Sequence, residues 1–219
     1  MKKLIIIIVC THFFSILAFT QTDYPNGKNM REANATERKL ATESCECTKG
    51  FSKSFSSRLK NYPFNLATKI QLVSFQSSGH QTPFGYEWYE DSLPRLNDTI
   101  CYSKLYEIKN LTYLQVDKLT DILYNYGFKF HLKPKKGVYY IGSVNNCYNP
   151  RNAILFLDKN NNAFEFIEIC FECKRIEKKS DKINLGEMCT QKLGMLKNFF
   201  EEIGIKYGIK NDSINDEQR

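Results

Sequence analysis

The chain has 219 residues, of which 42 % are apolar, 14 % aromatic and 25 % charged, with a formal net charge of +7. This composition excludes a low-complexity or wholly disordered polymer, and the length suits one core or two small ones. The positive charge does not argue for nucleic acid: Glu172, Glu177 and Asp181 interleave with Lys174, Arg175, Lys178, Lys179 and Lys182, which reads as a solvated loop. A second basic cluster is Lys133, Lys135 and Lys136.

The first element is a leader. MKKLIIIIVCTHFFSILAFTQ places two lysines before an apolar run from Leu4 to Phe19, then Ala18 and Thr20 at −3 and −1 of a cut before Gln21. That is the layout of a secretory signal peptide over residues 1–20. The run is short for a membrane span, which needs about 20 apolar residues. Val9 before Cys10 argues against a lipid-attachment cysteine. Cleavage lowers the net charge to +5 by removing Lys2 and Lys3, and leaves seven cysteines: Cys45, Cys47, Cys101, Cys147, Cys170, Cys173 and Cys189. In an oxidising compartment disulfides are the default, and an odd number leaves one thiol over.

Residues 21–48 are polar, without sustained apolar periodicity, and read as a flexible tether, disordered or loosely helical. The folded domain is expected over 49–208, followed by a disordered tail at 209–219. TKIQLVSFQ (68–76) has the β-branched and aromatic content of a strand. The Gly-, Pro- and aromatic-rich stretch after it reads as a long connection, in which Tyr86, Trp88 and Tyr89 either stack on a ligand or close over the core edge. Residues 99–108 are strand-like, with a loop at Cys101 and Tyr102 as the alternative.

A helix is expected over Thr112–Tyr126. Thr112 and Gln115 fit a capping box, Leu111 and Val116 a hydrophobic staple, and Gly127 a left-handed stop. GVYYIGSV (137–144) is a third strand. NAILFLD and AFEFIEICF flank KNNN and form a hairpin; a two-residue turn at Asn160-Asn161 places Arg151 opposite Cys170. Both runs are apolar on both faces, so the pair belongs in the middle of a covered sheet. A last helix is expected over Gly186–Ile203, capped by Asn184 with Glu187 and ended by Gly204. The sum is one α+β domain: a mostly antiparallel sheet with two main helices packed on one face.

The candidate chemistry lies in the cysteines. Cys170 and Cys173 form a C-x-x-C, a weak motif that fits a redox pair, half of a zinc site or structural disulfides. Glu168 and Glu172 would raise a thiol pKa here, which disfavours redox use. A four-thiolate zinc site would draw on Cys147, Cys170, Cys173 and Cys189. Only His80 and His131 remain as mature histidines, so no His-rich centre suggests itself. Along a straight strand the two Cα atoms would lie about 10 Å apart, beyond disulfide reach. A Cys147–Cys173 or Cys147–Cys170 bridge would instead tie the hairpin's open end, and the third cysteine would meet Cys189. Glu168 shares a face with Phe164, Phe166 and Cys170, so a buried ion pair with Arg151 is expected. Asn34, Asn97, Asn110 and Asn211 match the glycosylation pattern.

The combination CYNPRNAILFLD, FEFIEICFEC, Cys189 and FFEEIGIKYG resembles a group of uncharacterised secreted bacterial proteins, over roughly Leu111 to Gly208. The resemblance implies no catalytic residue. It does imply that Cys147, Arg151, Glu168, Cys170, Cys173 and Cys189 form one constellation, and it leaves Cys45, Cys47 and Cys101 outside. The functional expectation is an exported, non-catalytic domain of the secreted or periplasmic envelope fraction, stabilised by disulfides. It has no cofactor and no membrane span after cleavage, and a protein or glycan ligand stays open. The alternative is a thiol–disulfide redox or zinc-binding protein using Cys170 and Cys173.

Overall fold

The computed structural model describes residues 30–76, 80–82, 85–87, 93–133, 135–140 and 147–209, with backbone alone for 80–82 and 85–87. The leader, Trp88, Tyr89, the 141–144 half of the third expected strand and the tail beyond Ile209 lie outside these residues.

Five strands form one antiparallel sheet: β1 (Lys69–Phe75), β2 (Leu105–Asn110), β3 (Asn152–Leu157), β4 (Ala163–Cys170) and β5 (Arg175–Lys178). Their order across the sheet is β5-β4-β3-β1-β2. All six residues of β3 and the last six of β4 are buried, as runs that are apolar on both faces require. Asn152 faces Ile169 and Phe156 faces Glu165, which is the register expected from the hairpin. The turn is one residue longer than expected. Asp158 and Asn162 close it, with Asn161 at φ 63°, and a register shift between Phe156 and Leu157 absorbs the extra residue.

Each face of the sheet has its own cover. On one, Leu72, Ile154, Phe156, Ile167 and Ile169 pack against Leu119 and Leu123 of one helix and Leu196, Phe199 and Phe200 of another. On the other, Val73, Phe75, Ala153, Leu155, Leu157 and Phe166 lie beneath Leu93 and Ile100, which belong to the connection between β1 and β2. The domain is therefore α+β, with its two main helices on one face.

Among the described residues there are four helices: α1 (Ala35–Ser44), α2 (Phe55–Arg58), α3 (Tyr113–Asn125) and α4 (Lys192–Ile203). The α3 capping box is present, with Gln115 N–H donating to Thr112 and Thr112 N–H to Gln115. Its end differs from expectation. Tyr126 is extended, and Gly127 enters a short pairing with Thr48 instead of turning left-handed. A Cβ at Gly127 would collide with Glu187 and Phe51, so close approach is what selects glycine here.

Two further expectations are corrected. Residues 30–48 are not a featureless tether: Asn34 caps α1 through a capping box with Glu37, and Arg31 grips the buried Glu37 carboxylate with both nitrogens at 2.7 Å. The helical half of the tether reading holds over Ala35–Ser44, and its looseness does not, because α1 is held by capping and ion pairing rather than by an apolar stripe. The last helix starts at Lys192 rather than Gly186, because Glu187 spends its carboxylate on the Phe128 N–H and on His131 instead of capping. Gly204 does end α4 left-handed, at φ 91°. Ile209 is core, one residue beyond the expected boundary. No described helix is long and apolar enough to cross a membrane.

Lys192 joins the two main helices. Its side chain is fully buried, and its ammonium donates to the Leu123 carbonyl at 2.7 Å, in the last turn of α3. Cations suit a helix C-terminus. Burial nevertheless lowers the pKa to about 8 from 10.5, with Glu187 opposing the shift. Between these two values the unfolded chain binds the extra proton, so the contribution of Lys192 to stability should rise with pH through that window and level off above it. Urea melts of the parent and Lys192→Met over this range test this: the parent should gain about 2 kcal/mol on the variant between pH 7.5 and 9.5. A constant difference would mean that the amine stays solvated.

Candidate functional site

The candidate residues gather where the open end of the β3–β4 hairpin meets the β4–β5 turn. Alternation along β4 puts Glu165, Ile167 and Ile169 toward the helices, and Phe166, Glu168 and Cys170 toward the opposite cover. Cys170 is the last residue of β4 and lies opposite Arg175 of β5. Residues 171–174 make the turn between them, with Lys174 at φ 53°. That turn carries Cys173 back over the strand end, so its N–H donates to the Cys170 sulfur at 3.1 Å.

Cys173 is bridged to Cys147, with Cα atoms 5.5 Å apart. This ties the chain entering β3 to the β4–β5 turn, closing the hairpin's open end. The sulfurs of Cys147, Cys170 and Cys173 all lie within 4.8 Å of one another. Cys170 remains a buried thiol. Burial raises its pKa most, and the charge of Glu172 adds to this; the N–H groups of Asn149 and Cys173 and the Arg151 cation act in the opposite direction. An exposed thiol of lowered pKa, as a redox C-x-x-C requires, is not what this position offers.

Cys189 does not join the cluster. It is bridged to Cys47, 142 residues away in sequence, with Cα atoms 5.0 Å apart. The reason is local. Residues 184–190 are irregular, so Cys189 lies beside the 45–48 segment, where Thr190 N–H donates to the Cys45 carbonyl and Cys47 N–H to Gln191. Three of the four proposed zinc ligands are thus brought together, and the fourth is not. Cys101 is a half-buried thiol, whose N–H donates to the Pro94 carbonyl.

Glu168 is 1 % exposed, yet its partner is not the expected Arg151. Its carboxylate accepts from the Leu93 N–H at 2.5 Å and the Tyr148 hydroxyl at 3.1 Å. Arg151, just ahead of β3, instead reaches the exposed Glu172 at 3.1 Å. The register expected for the hairpin is right, but the guanidinium turns to the rim, where it stays hydrated. A backbone amide and a phenol are among the groups that meet the carboxylate, as burial of a charge requires. Burial, then the charge of Glu168, raises the Tyr148 pKa strongly, so the phenol stays protonated as a donor. The Arg175 guanidinium lies over the Tyr148 ring, 4.8 Å from its centroid.

The sequence reading missed Leu93, Tyr148 and a second buried carboxylate, Glu165. Glu165 accepts from Tyr62 at 2.6 Å and Ser180 at 2.8 Å. Burial, then Glu165, pushes the Tyr62 pKa up to about 12. Only the Glu-x-x-Glu spacing on an otherwise apolar strand hinted at these sites. Asn34 and Asn110 spend their side-chain oxygens internally, on the Glu37 N–H and the Gln71 amide. Chemically the site is an apolar, sulfur-rich corner with one disulfide, one protonated thiol and one tightly held carboxylate.

Glu168→Ala should strand the Leu93 and Tyr148 donors, at about 1–3 kcal/mol each. Arg151→Met should stay within about 1 kcal/mol of the parent, as an exposed ion pair allows. Denaturant melts of both variants decide the matter. The reverse ranking would restore Arg151 as the partner that matters.

No protein-family model, curated protein or solved structure matches this chain.

Proposed function

We propose that this chain works as an exported, non-catalytic domain, in binding or in envelope structure, whose fold is secured by disulfides. The observation that carries the reading is the placement of the two bridges that join described residues. Cys47–Cys189 spans most of the domain, and Cys147–Cys173 locks the hairpin end. Such bridges persist in oxidising compartments. The leader-like first 20 residues point the same way, as does the resemblance to secreted bacterial proteins. The buried, protonated character of Cys170 fits a structural rather than a catalytic corner. The geometry favours no particular ligand, so a protein or a glycan remains the open class.

The second reading, zinc or thiol-redox chemistry at Cys170 and Cys173, rests on the three clustered sulfurs. Non-reducing peptide mapping of exported protein separates the two. Fixed Cys47–Cys189 and Cys147–Cys173 bridges, with an N-terminus at Gln21, support the structural reading. Stoichiometric metal lost to a chelator supports the other. The long bridge also makes a stability prediction. Closing a loop of this length restricts the unfolded chain by about 5 kcal/mol in the chain-entropy account. Cys47→Ala with Cys189→Ala should therefore lower the urea midpoint severely. An unchanged midpoint would mean the bridge does not form.

A further inference from the structure

We propose that Cys147, Cys170 and Cys173 form an internal thiol–disulfide exchange site, in which the bridge moves from Cys147–Cys173 to Cys170–Cys173 and Cys147 becomes a modifiable thiol. This goes beyond the structural reading and does not depend on it, since a domain of any role can carry such a site.

Three observations converge. The reduced sulfur and both bridged sulfurs lie within 4.8 Å, so no large chain movement is needed to bring attacker and target together. The Cys170 sulfur is anchored beside the bridge, accepting at 3.1 Å from the N–H of Cys173, one of the two bridged residues. The turn at 171–174 brings Cys173 back over the strand end, which makes a Cys170–Cys173 bridge reachable where a straight strand would forbid it.

The step balances without any external oxidant or reductant. Cys170 loses its proton and its sulfur attacks the Cys173 sulfur. The Cys147–Cys173 bond breaks as the Cys170–Cys173 bond forms, and the electron pair leaves on the Cys147 sulfur, which takes up a proton. One thiol and one disulfide stand on each side. The two ends of the exchange differ in access. Cys170 and Cys173 are buried, whereas Cys147 is only half-buried. Moving the bridge therefore turns a buried thiol into a reachable one. The chemistry it would take is a soft electrophile or the disulfide of a small or protein thiol, giving a mixed disulfide at Cys147. Cys147–Cys173 is the resting bridge, and burial of Cys170 holds its thiolate fraction down, which makes the exchange slow.

The test is native labelling of the full chain with N-ethylmaleimide at mildly alkaline pH, then acid quench, non-reducing digestion and mass mapping. The expected product carries label on Cys147 together with an intrapeptide Cys170–Cys173 bridge. Label on Cys147 should accumulate at least about tenfold faster in the parent than in Cys170→Ala, which lacks the attacking thiol. Label confined to Cys170 or Cys101 with Cys147–Cys173 intact overturns the proposal. So does no label at all, or equal labelling of Cys147 in the two proteins. Should Cys170→Ala not fold, the parent digest alone decides, because only exchange yields the Cys170–Cys173 loop with a labelled Cys147.

Discussion

A pair of neighbouring strands that carry apolar side chains on both faces cannot be left half in water, and the rest of this structure answers that constraint. β3 and β4 bury nearly all of their length, so each face of the sheet needs its own lid. Helices α3 and α4 supply one; the β1–β2 connection carrying Leu93 and Ile100 supplies the other. Burying this much apolar surface is the main favourable term, at roughly 25 cal/mol per Å² removed from water. It is non-directional, however, and does not by itself say where a lid should sit.

Directional fasteners do that. On the side away from the helices, Glu168 reaches from the sheet to the Leu93 amide and the Tyr148 phenol, so one carboxylate holds both the connection and the segment leading into β3. Between the helices, Lys192 reaches from the start of α4 to the end of α3. At α2, the buried Arg58 binds Asp117, Thr120 and the Lys53 carbonyl, setting that turn against α3. In each case a polar group that is costly to bury is matched by a partner on another element, so misplacing the element would leave the group unsatisfied. Burial drives the assembly, and these groups set its geometry.

The covalent links follow the same division. Cys47–Cys189 attaches the α1 region to the start of α4, binding the two ends of the described chain to the helical face. Cys147–Cys173 acts on the opposite side of the sheet, where β4 ends and regular pairing gives way to turns. The third sulfur, Cys170, sits at this second junction because strand alternation points it toward the same cover as Glu168. In this corner covalent, polar and apolar contacts share a few residues.

Much of the plan was written locally and could be read locally. The β1, β3 and β4 strands, the hairpin register, the Thr112 capping box and the Gly204 stop depend on residues a few positions apart, where propensity, alternation and backbone sterics act directly. The α+β class and the placing of both main helices on one face follow from those patterns. What lay beyond reach depended on contacts between distant segments. α1 has no apolar stripe, and its order comes from Arg31 and Lys135 converging on Glu37. Glu187, a plausible helix cap by spacing, is diverted to Phe128 and His131. Correct alternation marked Glu168 as buried, yet which donors would meet it was decided by a connection 75 residues earlier. The cysteines divide in the same way: strand end and turn brought Cys147 to Cys173, whereas pairing Cys47 with Cys189 required the whole domain to close. Sequence alone determined the strands, the main helices and which faces must be dry, because those are short-range or periodic properties. Tertiary structure decided who partners each buried charge and each thiol, because long-range loop closure and packing choose among donors that look equivalent along the chain.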